Sequence, residues 1–383
     1  MRNATSTVMA LVAVIAFAGL ALALFLNVAG PDDVPGPDPG PDDVLDPEQT
    51  FPEGILVDLS EGTVSTDSEV DWHITDLLDT SYVKVGYQWV PNEGTVSFGT
   101  SIHLDPGMYR ADAGGTVFDI TVPGTISRSM EWDYIFEGVT HRISIDYVID
   151  AWEVSEQRSR SMEYNREDRK YLFAELPELV EVTDSIRGLE SSMRAEFVRI
   201  GGDPEDGQAY ADFLASLPQV AVTYPSRVSV DNVYRGEDYS LYGLDEYWAR
   251  PLETLVLQYG DCDDTAALAC ALFIAAGYDA AMGGHSGHVY AGVALENFVD
   301  VPEDDRRLVN PYNVFSLAKH TPVEGSCTGP LSSTIYYAVE TTKKQIHVGY
   351  LTSGDRFFGT STLWGTAGFY PVQGAESGIH GSS

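Results

Sequence analysis

The chain has 383 residues and a formal net charge of −36, from 58 Asp and Glu against 22 Lys and Arg, of which only five are Lys. Such a balance excludes a nucleic-acid binder and a protein held to anionic lipid by charge, since both partners carry the same sign. The acids are spread over the whole length, as on a surface adapted to high salt, where self-repulsion is screened.

The first element is apolar. "VMALVAVIAFAGLALALFL", Val8 to Leu26, is nineteen residues without a charge. At ~1.5 Å rise per residue it nearly spans a ~30 Å hydrocarbon core. It is long for the ~7–15-residue core of a cleaved signal peptide. Arg2 precedes it and Asp32 and Asp33 follow, so the N-terminus is expected in the cytoplasm and the rest outside the cell. Residues 1–29 are therefore expected to be a transmembrane anchor. Residues 30–54, rich in Pro, Gly and Asp, read as an extended, self-repelling spacer.

Residues 55–128 read as a β-rich module. "SYVKVGYQWV" and "GGTVFDITV" are short β-branched and aromatic runs, bounded by the turn signals "PNEG", "DPGMY" and "DAGG". "SMEWDYIFEGVTHRISIDYVIDAWEV", Ser129 to Val154, reads as a hairpin about "FEGV". A charged helical stretch is expected from about Ser161 to Ile200, broken or kinked at Pro177. A further helix starts near "DPEDGQAYADFLASL", with Asp203 as N-cap and Pro204 at its first position. Pro218 to Trp248 is a long polar loop, and such loops tend to be functional.

That loop leads into "QYGDCDDTAALACALFIAAGYDA", Gln258 to Ala280. The alanine-rich run predicts a buried helix of about three turns, closed by Gly277, with Cys262 in its first turn. Free N–H groups and the positive dipole end favour a thiolate there, while Asp261, Asp263 and Asp264 oppose it. Such a thiol needs a base. "GGHSGHVYAGVAL" offers His285 and His288 after a glycine-rich turn, with His288 opening an alternating strand. "STIYYAVETTKKQIHVGYL" follows as another strand and carries Glu340. Cysteine, histidine and acid in this order fit nucleophile, base and orienter.

These motifs resemble the transglutaminase-like superfamily of papain-like cysteine enzymes, in its membrane-anchored archaeal and bacterial branch. The likeness runs from about Glu131 to Leu351, and is strongest over "GDCDD", "GHVYAGVAL" and "YYAVETT". The resemblance implies Cys262 as nucleophile and His288 as base. The family's third member is usually an aspartate; here Glu340 takes its place, with Asp300 and Asn310 as the next candidates. It implies acyl transfer on amides, with some members catalytically silent. The expected fold class is α+β: a papain/transglutaminase-like antiparallel sheet packed on a cysteine-bearing helix, preceded by a small all-β module and an N-terminal transmembrane helix. Residues 129–372 would form the transglutaminase-like domain, and 373–383 a disordered tail.

The remaining signals are weaker. Three cysteines outside the cell leave at least one unpaired or paired between chains. A Cys270–Cys327 bridge would leave Cys262 free, and the spacing does not choose. Glu246, Glu253 and Trp248 in "DEYWARPLETL" either shape a cleft or simply pack and cap, and Trp248 is a candidate oxyanion donor. His285 and His288 with Asp263 or Asp264 make no zinc pattern, because i, i+3 in a strand does not share a face. "VPEDDRR" and "DPEDG" lack the D-x-D-x-D-G calcium loop. No metal or cofactor is expected. The function expected is that of a membrane-anchored extracellular cysteine protease or amidase acting on a cell-surface protein or peptide. The alternatives are an inactive protein that binds or builds the envelope, and a metal-binding sensor.

Overall fold

The computed structural model describes residues 49–85, 88–166, 173–230, 232–285, 288–301, 324–326, 335–342, 346–350 and 368–372. The apolar run 8–26, Asn310, Cys327 and the tail 373–383 lie outside the described residues. The described residues from Phe51 onward belong to one compact unit.

Its first part is all sheet. Strands β1 (Ile55–Asp58), β2 (Thr63–Asp76), β5 (Thr95–His103), β6 (Gly107–Ala113) and β7 (Thr116–Val122) form one antiparallel sheet, with β2 pairing β1, β5 and β6. β3 (Tyr82–Val85) and β4 (Gln88–Pro91) make a separate hairpin. Val64, Trp72, Phe118 and Ile120 form the core of this part.

β8 (Thr125–Phe136) and β9 (Val139–Asp150) follow as a long hairpin. Phe136 faces Val139 across a two-residue turn in which Glu137 and Gly138 both take positive φ. That geometry matches the right-handed twist of the strands it joins. Strict alternation sends Met130, Trp132 and Tyr134 inward from β8, and Ile143, Ile145, Tyr147 and Ile149 from β9.

The hairpin runs into α1 (Ala151–Arg166), whose first-turn N–H groups at Trp152 and Glu153 are taken by the Asp150 carboxylate. The charged helical stretch expected over 161–200, broken or kinked at Pro177, is interrupted there and comes in three pieces. α1 begins ten residues earlier, Pro177 lies inside a short 3-10 turn (Phe173–Leu179), and α2 (Asp184–Arg199) starts afresh under a Thr183 cap. α3 (Gly207–Ser216) is capped by Asp206 rather than by Asp203, which accepts instead from Glu205 N–H. A hairpin of two-residue strands, β10 (Ser229–Val230) and β11 (Val233–Tyr234), and a short helix, α4 (Tyr239–Tyr242), interrupt the polar loop, and α5 (Pro251–Leu257) ends it.

α6 (Cys262–Ala275) is buried on every side from Asp263 to Phe273. A helix apolar all round belongs inside a core. It lies against α2, α3 and α5, and against β12 (Ala280–His285) and β13 (His288–Ala294). Its end is closed by Gly277 at positive φ, with Gly277 N–H on Ile274 C=O and Tyr278 N–H on Phe273 C=O. The sheet beneath is antiparallel, in the order β14 (Glu324–Ser326), β15 (Ile335–Val339), β13, β12, β16 (Gly368–Pro371).

The fold class expected from the sequence is corrected here. The papain/transglutaminase-like α+β description does not stand, although the small all-β part is present at 55–122 and the expected transmembrane helix lies outside the described residues. The described chain is mixed α/β, mostly sheet with a few helices, and among the described residues no helix is long and apolar enough to cross a membrane. The physical reason is that three short motifs report on the elements that carry them and not on the layers around them. The alternating runs of 125–150 extend the strand content well past the expected module, and five helices besides α6 share the core.

Trp132 ties the hairpin to that core. Its indole N–H donates to Ser216 Oγ at 3.0 Å, and its ring lies beside Phe213. Trp132→Ala is expected to lower the unfolding free energy by about 3–5 kcal/mol, and Trp132→Phe by less, in urea titrations at high salt.

Candidate active site

The start of α6 is assembled from its own acids. Asp261 is the N-cap, its carboxylate accepting from Asp263 N–H at 3.3 Å, while Asp264 Oδ2 accepts from Asp261 N–H at 3.3 Å. This is a capping box built from two aspartates. Asp264 Oδ1 accepts from Ala249 N–H at 2.8 Å, which ties the preceding loop to the helix. Gly260 is required by closeness: a Cβ there would stand 2.8 Å from Asp264 Cβ and 2.9 Å from Thr254 Cγ2. Two of the three acids around the thiol are therefore structural caps.

Cys262 is the first residue of this helix, part-buried, with its sulfur 3.8 Å from Asp263 Oδ1. Burial pushes the thiol well above its ordinary value, and the charges of Asp261, Asp264 and Glu246 push the same way against the Val289 N–H. Asp261, Asp263 and Asp264 are likewise pushed up, first by burial and then by one another for Asp263 and Asp264. At an effective dielectric of about 20, two carboxylates ~5 Å apart repel by about 3 kcal/mol, so the group resists full ionisation.

His288 opens β13 and Glu340 directly follows β15. Ala291 pairs with Val339, and continuing that register sets Glu340 opposite Tyr290, diagonal to His288 on the same face. His288 Nε2 and Glu340 Oε2 are 3.3 Å apart, with the two side chains 15% and 1% exposed. Burial pushes Glu340 up, but the hydrogen bond and charge of His288, with the Thr342 hydroxyl and N–H, outweigh it and hold the carboxyl down at about 2.

Two side chains outside the marked motifs, Gln219 and Thr265, help to hold this arrangement. Gln219, buried in the π turn Leu217–Ala221, donates to the carbonyls of Glu340 at 2.7 Å and Ile346 at 2.9 Å. Thr265 Oγ1 meets Thr341 Oγ1 at 3.0 Å, linking the cysteine's helix to the acid's strand end. Thr342 was legible as part of "ETT"; Gln219 lies 121 residues from its partner and carries no local signal.

Other expectations fall elsewhere. Asp300 accepts from the Tyr350 hydroxyl, whereas Glu340 meets the histidine. The Trp248 indole N–H donates to Glu246 Oε1 at 3.0 Å, so it points at a carboxylate. Glu253 is fully buried, accepting from Arg250 N–H, Ser161 Oγ and Tyr247 Oη, which makes it a helix cap and a packing anchor. Cys270 is buried, with its thiol on Ala281 C=O. His285 sits in β12 opposite His288, and the expected glycine turn is strand at Gly283, where a Cβ would strike the Tyr290 ring at 2.3 Å.

No family model matches the chain, and no curated protein and no solved structure matches it.

A depressed carboxyl contributes stability that is present above its unfolded value and lost as pH falls through its folded one. For Glu340 that window runs from 4.5 down to about 2. Glu340→Gln is expected to cost about 1–3 kcal/mol near neutral pH. The gap to wild type should close across that acid window in urea titrations at stepped pH.

Proposed function

We propose that this protein is a cysteine-dependent acyl-transfer enzyme that hydrolyses peptide or side-chain amides. The observation that carries the reading is the His288–Glu340 pair at 3.3 Å, with His288 on the strand that packs against the helix opened by Cys262. The resemblance of the "GDCDD", "GHV" and "ETT" segments to the transglutaminase-like superfamily supports it independently. A cell-surface protein or peptide as substrate rests on the sequence of residues 8–26 alone.

In the proposed reaction the resting thiol is neutral, as its burial among acids favours. His288 takes the thiol proton as sulfur attacks the amide carbonyl carbon, so a preformed thiolate is not needed. The Cys262 backbone N–H, which the capping box does not use, receives the oxyanion. The imidazolium then gives its proton to the departing amine as the C–N bond breaks, leaving a thioester. Water, deprotonated by His288, attacks the thioester carbon, and the sulfur leaves and recovers a proton. Glu340 stabilises the imidazolium formed in both halves and keeps the ring oriented.

A second reading is a catalytically silent binding protein. The upward push on the thiol favours it, since a buried cysteine among carboxylates is a poor nucleophile unless a base acts on it.

Acylation by 4-nitrophenyl acetate in molar KCl separates the two. The enzyme reading expects a burst of nitrophenol and an acetyl group on Cys262 by mass spectrometry. Cys262→Ala should abolish both, and His288→Ala should slow the burst by about 100-fold or more. If Cys262 stays unacylated, or His288→Ala changes nothing, the binding reading replaces the enzyme.

A further inference from the structure

Behind the thiol, on the far side of its capping box, lies a second group of carboxylates. Asp238 caps the short helix α4, 23 residues before Asp261 in the chain. One carboxylate oxygen from each of Asp238, Asp261 and Asp264 lies within 4.8 Å of the other two. Asp238 and Asp264 are buried, with exposures of 1% and 0%.

The hydrogen bonds around these groups leave one oxygen over. Asp264 uses both of its oxygens on N–H groups, of Ala249 and Asp261. Asp238 Oδ2 accepts from Tyr247 N–H at 2.8 Å. Asp238 Oδ1 is buried with no hydrogen-bond partner among the described residues. A buried carboxylate oxygen without a donor is costly, and native structures rarely keep one without a water or an ion. Among the described residues, none of the three aspartates forms an ion pair with Arg or Lys. The further charges acting on Asp238 are again acidic, with Glu246 among them.

The donor set is all carboxylate oxygen, which selects a hard cation over zinc or copper, and such an ion would bind against the protonation that burial favours. Calcium–oxygen distances are about 2.3–2.6 Å, so ligands on opposite sides of one ion stand roughly 5 Å apart. A triangle with sides no longer than 4.8 Å fits that span. The α6 dipole opposes a cation here, but by only about half an elementary charge against three carboxylates. The neighbouring triple of Asp261, Cys262 and Asp263 is a poorer choice, because it would engage the sulfur.

We propose that Asp238, Asp261 and Asp264 bind one hard divalent cation, with calcium the best fit, which ties the loop before α5 to the first turn of the cysteine's helix. The site stands on the carboxylates alone and does not depend on the acyl-transfer reading. Local sequence hid it, because its ligands come from two segments and follow no loop pattern.

The test uses the full-length protein, stripped with EDTA in molar KCl, and titrates CaCl2 or MgCl2 by calorimetry beside thermal melts. Wild type should bind about one calcium saturably and melt at a higher temperature with it. Asp238→Asn keeps the size and the Tyr247 contact but removes a charge. It should weaken calcium at least about tenfold, lose the calcium-dependent rise in Tm, and melt in EDTA no lower than wild type. Asp261→Asn should lose the same titration, and Asp133→Asn, on the exposed face of the β8–β9 hairpin, should keep it. The proposal is overturned if wild type shows no saturable binding. It is equally overturned if Asp238→Asn or Asp261→Asn binds as wild type does, which would mean calcium only screens the acidic surface. If Asp238→Asn does not fold, Asp261→Asn and the wild-type titration decide.

Discussion

A helix buried on every side cannot hand its first-turn N–H groups to water, and this constraint organises the centre of the molecule. α6 is such a helix. Its orphan donors have to be met from within, and Asp261 and Asp264 meet them. The carboxylates bring their charge with them into a region that solvates charge poorly. Asp264 then reaches out to Ala249, so the loop before α5 is fixed to the same point. Everything near Cys262 inherits this choice: the shape of the approach, the crowding of like charge, and the state of the thiol.

The consequence for chemistry is a division of labour between two kinds of acid. Asp261, Asp263 and Asp264 sit with one another and share the cost of burial, so protonation is favoured. Glu340 is equally buried, yet it faces an imidazole and the donors of Thr342, so ionisation is favoured. Burial alone decides neither outcome; the partner does. A residue that can stabilise an imidazolium thus stands across from residues that would discourage a thiolate. That combination suits a proton that moves during attack better than one that has moved beforehand.

How much of this was legible in the sequence depends on range. The Cys262 helix could be read because its cap, its alanine-rich body and its Gly277 stop are all local. The β8–β9 hairpin could be read because alternation and "FEGV" sit in one stretch. His288 and Glu340 were marked by strand position, and only the register of β13 on β15 makes them neighbours. Pro177 marked a break within 161–200, and the chain is interrupted there, but the fresh start under the Thr183 cap was not marked. Asp238 and Gln219 left no local trace, since their meaning lies in partners far along the chain. The fold class failed for the same reason: layers are long-range facts.

The strand order adds one more consequence. β13, which carries His288, has β15 on one side and β12 on the other, and α6 covers its face. Strands held on both edges and one face open only when much of a domain opens with them. The stretch Ala291–Ala294 is held in this way, whereas His288, at the start of the strand, is paired with His285 of β12 alone in the described register. Local opening would therefore reach the histidine before it reaches the middle of its strand.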